Sequence, residues 1–363
     1  MKLIIYGAKS MALGACHAIQ TLYPEQEILC FLVKSLKDNP SELAGLPVRE
    51  LETVATELTV EEKNGVTVLV GTPEILHEEI KKDLENCGFE RIACLDSKRM
   101  AVLMERYFTS EHIFPSLHCL PQGCEKIEPF VIMTKFYKDR VLKSQVSLPS
   151  WTHPLQVGTA LTEERVAELL DSTGEHISEK NVNYCELTGL YWLWKQLEAE
   201  KDQCLVEDKE YYGLFHYRRI LDITEEDLHR IEENKVDVIL PYPLMHEPGA
   251  KEHHTRYVKP SDWEALLHVL QEYYPEYAKA FTEVLEQPYL YNYNIFVARK
   301  EIVQEYCQWL FDVLKKVEEY SEPKGWERAD RYLGYLGENL LTLYFMVHKD
   351  RWNIYHTGCL MLT

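Results

Sequence analysis

The chain has 363 residues, 46% hydrophobic and 27% charged, with Gly and Pro at 16 each; this suits a folded globular protein of two domains and excludes collagenous, linker-like or disulfide-stapled mini-folds. Lys+Arg 39 against Asp+Glu 59 leaves a formal charge of -20, a field that repels nucleic acid and anionic membrane while leaving room for a local basic site that takes an anionic small molecule. No run approaches the roughly 18 apolar residues of a membrane span, and ten cysteines in a chain without a secretory h-region are expected to be reduced thiols of a cytoplasmic protein.

Residues 2–6, KLIIY, form a short apolar run that ends at Gly7, and a helix is expected from Ser10 to Thr21. Apolar runs at 28–33, 46–48, 66–71 and 91–95 alternate with turn residues and a helix near 73–87. Strand and helix alternating at short spacing is the pattern of a parallel sheet covered by helices. Residues 1–111 therefore read as a small Rossmann-like domain, and 112–129, with three prolines and no clear period, as a linker. A strand at 130–136 opens a second domain, 130–363. A long loop is expected after it, then a helix at 182–198, a strand at 211–217, a helix near 224–234 and a strand at 236–241. Helices near 261–285, a strand at 293–298 and helices near 300–320 and 334–347 complete the chain.

The turn GAKSMALG carries only part of the G-x-G-x-x-G phosphate fingerprint. Gly7 is present, but Lys9 and Ala12 stand where the second and third glycines belong, so Gly7, Lys9 and Ser10 form a weakened phosphate loop. Cys119 and Cys124 with His118 have C-x4-C spacing and no second pair, which does not make a zinc finger, and no metal ligands are assigned. His246, His253 and His254 share a loop with Glu247 and Glu252, and His254 is the one expected to reach a site if that loop closes.

Two segments carry more. In ISEKNVNYCELTGLYWLWK (177–195), Glu179, Asn183 and Glu186 recur at helical spacing and form a polar face suited to sugar hydroxyls, with Lys180, Asn181 and Tyr184 counted beside them. Ser178 or Asn181 can cap that helix, and Tyr184, Leu187, Tyr191 and Trp194 form an apolar stripe expected to face the sheet. YYGLFHYRRI (211–220) runs as a strand into His216, Tyr217, Arg218 and Arg219. Guanidinium forks at the carboxyl end of a strand stand where α/β folds hold ligands and match diphosphate oxygens.

At these segments the chain resembles a bacterial family of capsule and exopolysaccharide glycosyltransferases catalogued as a domain of unknown function, number 4422. The resemblance rests on ISEKNVNYCELTGLYWLWK, YYGLFHYRR, YNIFVARKEIVQEYCQWLF (293–311) and GYLGENLL (334–341), and covers about residues 130–350. Val182 stands for a Pro, Ile295 for a Met and Asn339 for an Arg of the family pattern. It implies an α/β protein in which a small N-terminal Rossmann-like parallel sheet precedes a GT-A-like mixed α/β glycosyltransferase domain. It also implies a nucleotide-sugar donor, a UDP-sugar by first choice, and a polysaccharide or lipid-linked saccharide acceptor met by peripheral contact at the inner face of the membrane. His216, Tyr217 and Arg218 occupy the place of a metal-binding D-x-D, so transfer is expected to need no metal cofactor. Glu338 is the first choice for the base and Glu186 the second, while Asn294 is expected to orient a sugar hydroxyl. A non-catalytic nucleotide- or sugar-binding regulator stands as the alternative, ahead of an NAD-dependent sugar-modifying enzyme.

Overall fold

The computed structural model describes residues 2–142, 148–200, 202, 204–251 and 257–363. Six strands make the first sheet: β1 (Lys2–Tyr6), β2 (Glu27–Val33), β3 (Glu42–Leu43), β4 (Leu46–Glu50), β5 (Val66–Val70) and β6 (Ile92–Cys94). Their order is β3-β4-β2-β1-β5-β6, parallel throughout except for the β3–β4 hairpin. Alternation along β1 sorts the side chains. Leu3 and Ile5 join one core with the helix Ser10–Leu22, and Ile4 and Tyr6 join a second on the opposite face. Both faces are covered, as a parallel sheet requires.

The second sheet has nine strands: β7 (Phe130–Lys135), β8 (Thr152–Gln156), β9 (Leu169–Leu170), β10 (Tyr211–His216), β11 (Arg219–Leu221), β12 (Val238–Pro241), then, after a separate β13 (Leu244–Met245) and β14 (Tyr289–Leu290) pair, β15 (Phe296–Arg299), β16 (Ile354–Thr357) and β17 (Cys359–Met361). The order β16-β12-β15-β10-β7-β8-β9, with β11 and β17 branching from β10, is mixed because β15 runs antiparallel to both neighbours. Phe130 and Ile132 point into the larger core with the helices Leu187–Glu198, Lys300–Tyr320 and Tyr332–Val347, while Val131 and Met133 fill the other face. The α/β class, the parallel first sheet and the mixed second sheet match the sequence expectation.

Several local expectations do not survive. The loop expected after residue 136 contains β8, whose Thr, His, Pro and Gln residues lack an apolar run, and β9, which is only two leucines long. The strand expected at 293–298 starts at Phe296, because Tyr293 and Asn294 take left-handed φ values of 75° and 53°. A helix at Ser97–Ser110, unannounced by its mixed face, packs against the helix Ser10–Leu22 and against β17. The first unit's core continues into Tyr242 and Met245 of the second, with Phe108 stacked on Tyr242 at 5.4 Å. Among the described residues no helix is long and apolar enough to cross a membrane.

Candidate active site

A cavity of about 360 Å³ opens at the carboxyl ends of the parallel strands β7, β8 and β10. The strand ends supply Thr134, Val157 and His216, the 177–195 segment supplies Asn181, Cys185 and Glu186, and Asp139 and Arg331 close its sides. This is the edge at which open α/β sheets place ligands, because loops diverge there and leave a crevice.

The 177–195 segment forms the cavity wall because it is not one helix. A short turn over Ser178–Lys180 leads into Asn181–Tyr184, Cys185 takes φ 53° and ψ -128°, and the long helix begins at Leu187. Local hydrogen bonds hold the break. Asn181 Nδ2 donates to the Cys185 carbonyl at 2.7 Å and to Thr188 Oγ1 at 3.1 Å, replacing the backbone bond that a continuous helix would make. Behind it, the buried Asp171 carboxylate accepts from Gly158 N (2.8 Å), Thr159 N (3.1 Å) and the hydroxyls of Thr159 (2.8 Å), Ser178 (2.5 Å) and Thr188 (2.8 Å). Gly158, at φ 67°, is the residue whose missing Cβ lets Asn181 Oδ1 approach, since a Cβ there would lie 3.0 Å from it. A left-handed Cys185 is the kind of strained backbone position that a surrounding network has to impose.

The break turns Glu186 into the cavity. Desolvation lifts its carboxyl to about 7, against the hydrogen bond from Asn294 Nδ2 at 2.8 Å and the charge of Arg331, and the nearby Glu338 charge adds to the rise. Asn294 also donates to the Gly334 carbonyl at 3.2 Å, and its buried Oδ1 has no hydrogen-bond partner among the described residues. His216 is driven the other way, to about 3, by desolvation and then by Arg219, Arg218 and Arg331, so its imidazole is neutral at pH 7. Burial raises Asp139 in spite of the Phe136 N–H at 2.7 Å and the Arg218 and Arg331 charges. Arg331, exposed and left-handed at φ 66°, donates through Nε to Cys185 Sγ at 3.3 Å. The site thus combines one carboxyl poised near neutrality, one neutral imidazole and one fixed guanidinium.

The expected arginine pair divides. β10 ends at His216, Tyr217 and Arg218 form the turn, and Arg219 pairs back with His216 across a hairpin. Arg219 lies 3.9 Å over the Tyr293 ring and lines a separate small cavity with Ser10, Met11 and Met100 of the first unit. Arg218 is near enough to Asp139 and His216 to shift both, but it does not line the Glu186 cavity, and Tyr217 sits beside it. The reading of two adjacent guanidinium groups in one site is corrected accordingly. A tight hairpin reverses the chain between them, and Arg331 supplies the guanidinium at Glu186.

The single polar helix face is corrected too. Glu179 is exposed, with an oxygen 3.5 Å from His176 Nδ1. Lys180 Nζ bonds Glu318 at 2.6 Å, and the buried Tyr184 hydroxyl bonds the same carboxylate at 3.3 Å. Asn183 holds the 325–330 strap, donating to the Gly325 and Arg328 carbonyls at 2.6 and 2.8 Å and accepting from Asp330 N at 3.2 Å. The apolar stripe enters the core through Tyr184, Leu187 and Trp194, but Tyr191 and Trp194 pack on Phe311 of the helix Lys300–Tyr320 and not on the sheet. Glu338 stands in the second turn of the helix Tyr332–Val347, only 8% exposed and off the cavity lining, where its Oε2 accepts from Asn292 at 3.1 Å.

At the N-terminal loop, Gly7 takes φ 118°, Lys9 Nζ donates to the Asp38 carbonyl at 2.6 Å and Ser10 Oγ lies 3.0 Å from His246 Nδ1. Residues 245–248 of the second unit share the hollow there with Lys9 and Ser10. His254 lies outside the described residues. Cys119 and Cys124 are exposed free thiols, and His118 is instead clasped by Glu105 and Asp227, whose hydrogen bonds lift it to about 10. Among the described residues no group of three or more His, Cys, Asp or Glu side chains is arranged to hold a metal ion. Sequence reasoning missed Arg331, Asp139 and Asp171. Asp171 stands in a stretch without periodicity, and Arg331 is one of several charges in ERADR.

Two sheets, the first parallel apart from one hairpin and the second mixed, with a cleft at the carboxyl edge of the second, define an α/β protein. The chain belongs to the family described as Domain of unknown function (DUF4422), which matches residues 141–350. The apo structure of the bifunctional glycosyltransferase WbbM is similar at a TM-score of 0.54 and 24% identity, over 65% of this chain and 45% of that one. The chain thus spans less than half of that protein, and the likeness concerns the fold. RSP, a Rex-family repressor, matches at 12% identity over 31% of this chain and 60% of its own, with a TM-score of 0.22. Core-mannan synthase A (CmsA/Ktr4) from Aspergillus fumigatus, in an Mn/GDP form, matches at 10% identity over 98% and 72%, with a TM-score of 0.23. Neither score is high enough to bear on the fold. No curated protein matches the chain.

Proposed function

We propose that this protein transfers a sugar from a nucleotide-sugar donor to a saccharide acceptor, with the Glu186 cavity as the transfer site. One observation carries the reading: a carboxyl lifted to about 7 lines a cavity that also presents a neutral imidazole and a guanidinium. A base whose pKa lies near the working pH is best placed to take a proton from an acceptor hydroxyl. The shared fold with a bifunctional glycosyltransferase supports the same class.

In this reading the acceptor oxygen attacks the anomeric carbon, the bond from that carbon to the diphosphate oxygen breaks, and the nucleoside diphosphate leaves with the electron pair. Glu186 takes the acceptor proton and Asn294 holds Glu186 in place. The transition state resembles an oxocarbenium ion, so charge grows on the departing diphosphate. Arg331, with Arg218 behind His216, neutralises that charge in a site where guanidinium forks match phosphate oxygens. The same reading makes transfer independent of a metal, takes a UDP-sugar as first choice of donor and a bacterial surface polysaccharide or its lipid-linked precursor as acceptor. It treats 1–111 as a Rossmann-like unit, 112–129 as a connector and 130–363 as the transferase unit. Glu338 passes from first choice of base to a supporting carboxylate.

The test is release of nucleoside diphosphate from a panel of UDP-, GDP- and dTDP-sugars with saccharide acceptors, in the presence of chelator. Turnover by the wild type and its loss in Glu186→Gln are expected. Tight donor binding with no release by the wild type would instead identify a sugar-nucleotide sensor. Activity that needs manganese would overturn the metal-free part.

A further inference from the structure

Glu338, whose charge reaches Glu186, belongs to a buried polar chain that runs to the N-terminal unit. Asn292 Nδ2 donates to Glu338 Oε2 at 3.1 Å, and Asn292 Oδ1 lies 3.5 Å from His246 Nε2, the longest link. His246 Nδ1 is 3.0 Å from the hydroxyl of Ser10, the first residue of the helix that follows β1. Glu338, Asn292 and His246 are 8%, 5% and 5% exposed. Backbone pairing sets the spacing. β13 and β14 pair Met245 with Tyr289, the His246 N–H donates to the Pro288 carbonyl at 2.7 Å, and Glu247 accepts from Ala44 N of the first unit at 2.9 Å.

The chemistry of the end group fixes the direction of the chain. An ionised carboxylate only accepts, so Asn292 turns its NH2 to Glu338 and its carbonyl oxygen to His246. His246 then carries its proton on Nε2, and its Nδ1 accepts from Ser10 Oγ–H. Each donor specifies the next. Glu186 is faced by Glu338, Arg331, Cys185 and Asn294, and the Glu338 charge also reaches Tyr293 and Tyr335.

We propose that Ser10, His246 and Asn292 are positioning residues that hold the Glu338 carboxylate beside Glu186, which makes the N-terminal unit a working part of the transfer site. The proposal rests on the reading of Glu186 as the base. Cutting the chain frees the Glu338 carboxylate to move away from Glu186. That removes negative charge from beside Glu186, so its titration moves to lower pH.

The test uses the full chain with carbon-13 at the glutamate side-chain carboxyls, followed by NMR from about pH 5 to about pH 9; the signal missing from Glu186→Gln reports Glu186. Ser10→Ala and His246→Gln are expected to lower its midpoint by about half a pH unit and to cut kcat for nucleotide release about fivefold, with donor KM held within about twofold. Folded variants that keep the wild-type midpoint overturn the proposal, whether or not kcat falls, because lost activity alone marks a structural role. Should His246→Gln fail to fold, Ser10→Ala, which removes one hydroxyl at a partly exposed helix start, decides. If the wild type releases no nucleotide, the transfer reading fails while the carboxyl titration still judges the chain.

Discussion

Glu186→Gln changes the cavity by one proton-binding site while keeping its shape, and the raised carboxyl gives the change a sign and a size. The ordinary carboxyl value of 4.5 and the folded value of about 7 differ by about 3 kcal/mol against the charged form. Between those two values the folded protein holds a proton that the unfolded chain has released. The carboxyl's stabilising contribution is therefore complete below about 4.5, declines as pH rises and is gone above about 7. Glutamine has no such dependence. Thermal melts of the two proteins at about pH 4.5 and about pH 8 should show the variant gaining on the wild type by about 3 kcal/mol, roughly 6 °C or more for a unit of some 200 residues. The same variant should lose about 100-fold or more in nucleotide release, the range of a positioned general base. An offset between variant and wild type that stays constant across the two pH values would show that the Glu186 carboxyl titrates like an exposed one, and the argument for it as base would go with it.

Other consequences follow from the same geometry. Asn294→Asp keeps the size and the tolerance of a left-handed backbone but faces Glu186 with a second negative charge, so the pH profile of kcat/KM should shift to higher pH by about one unit; Glu338→Gln should shift it the other way and cut kcat about fivefold or more, and an unchanged profile in either variant would break the electrostatic account. Arg331→Met should raise donor KM about tenfold or more with a melting temperature within a few degrees of wild type, since the residue is exposed and its role is assigned to the diphosphate; an unchanged KM removes it from the site. Asp171→Asn puts an NH2 against hydroxyl and amide donors in a buried hub and should cost about 3 kcal/mol in thermal or urea unfolding; a loss below about 1 kcal/mol would mean that the hub does not hold the break at Cys185.

Much of the architecture was legible in the amino-acid order. Continuous apolar runs such as KLIIY and FVIMTK report strands buried on both faces, because alternate side chains enter two different cores. The apolar spacing of Leu187, Tyr191 and Trp194 likewise reports a helix with one face toward the core. Glu186 and Asn294 were both visible as candidates within the segments that carry the family resemblance. What one dimension could not supply was direction. Helical spacing placed Glu179, Asn183 and Glu186 on one face, but Asp171 and Asn181 interrupt the helix between Asn183 and Glu186 and send the three side chains to solvent, to the 325–330 strap and to the cavity.

The adjacent arginines make the same point. Sequence put Arg218 and Arg219 side by side, and a hairpin with a two-residue turn sends Arg219 to the face of Tyr293 and leaves the cavity to Arg331, more than a hundred residues away in the chain. Composition and periodicity determined the α/β class, the order of the elements and the residue types able to do the chemistry, since those depend on local burial and spacing. The carboxyl that faces the cavity, its shift toward neutrality and its link to Ser10 were decided by tertiary structure, because desolvation and long-range hydrogen bonds exist only once distant segments have met.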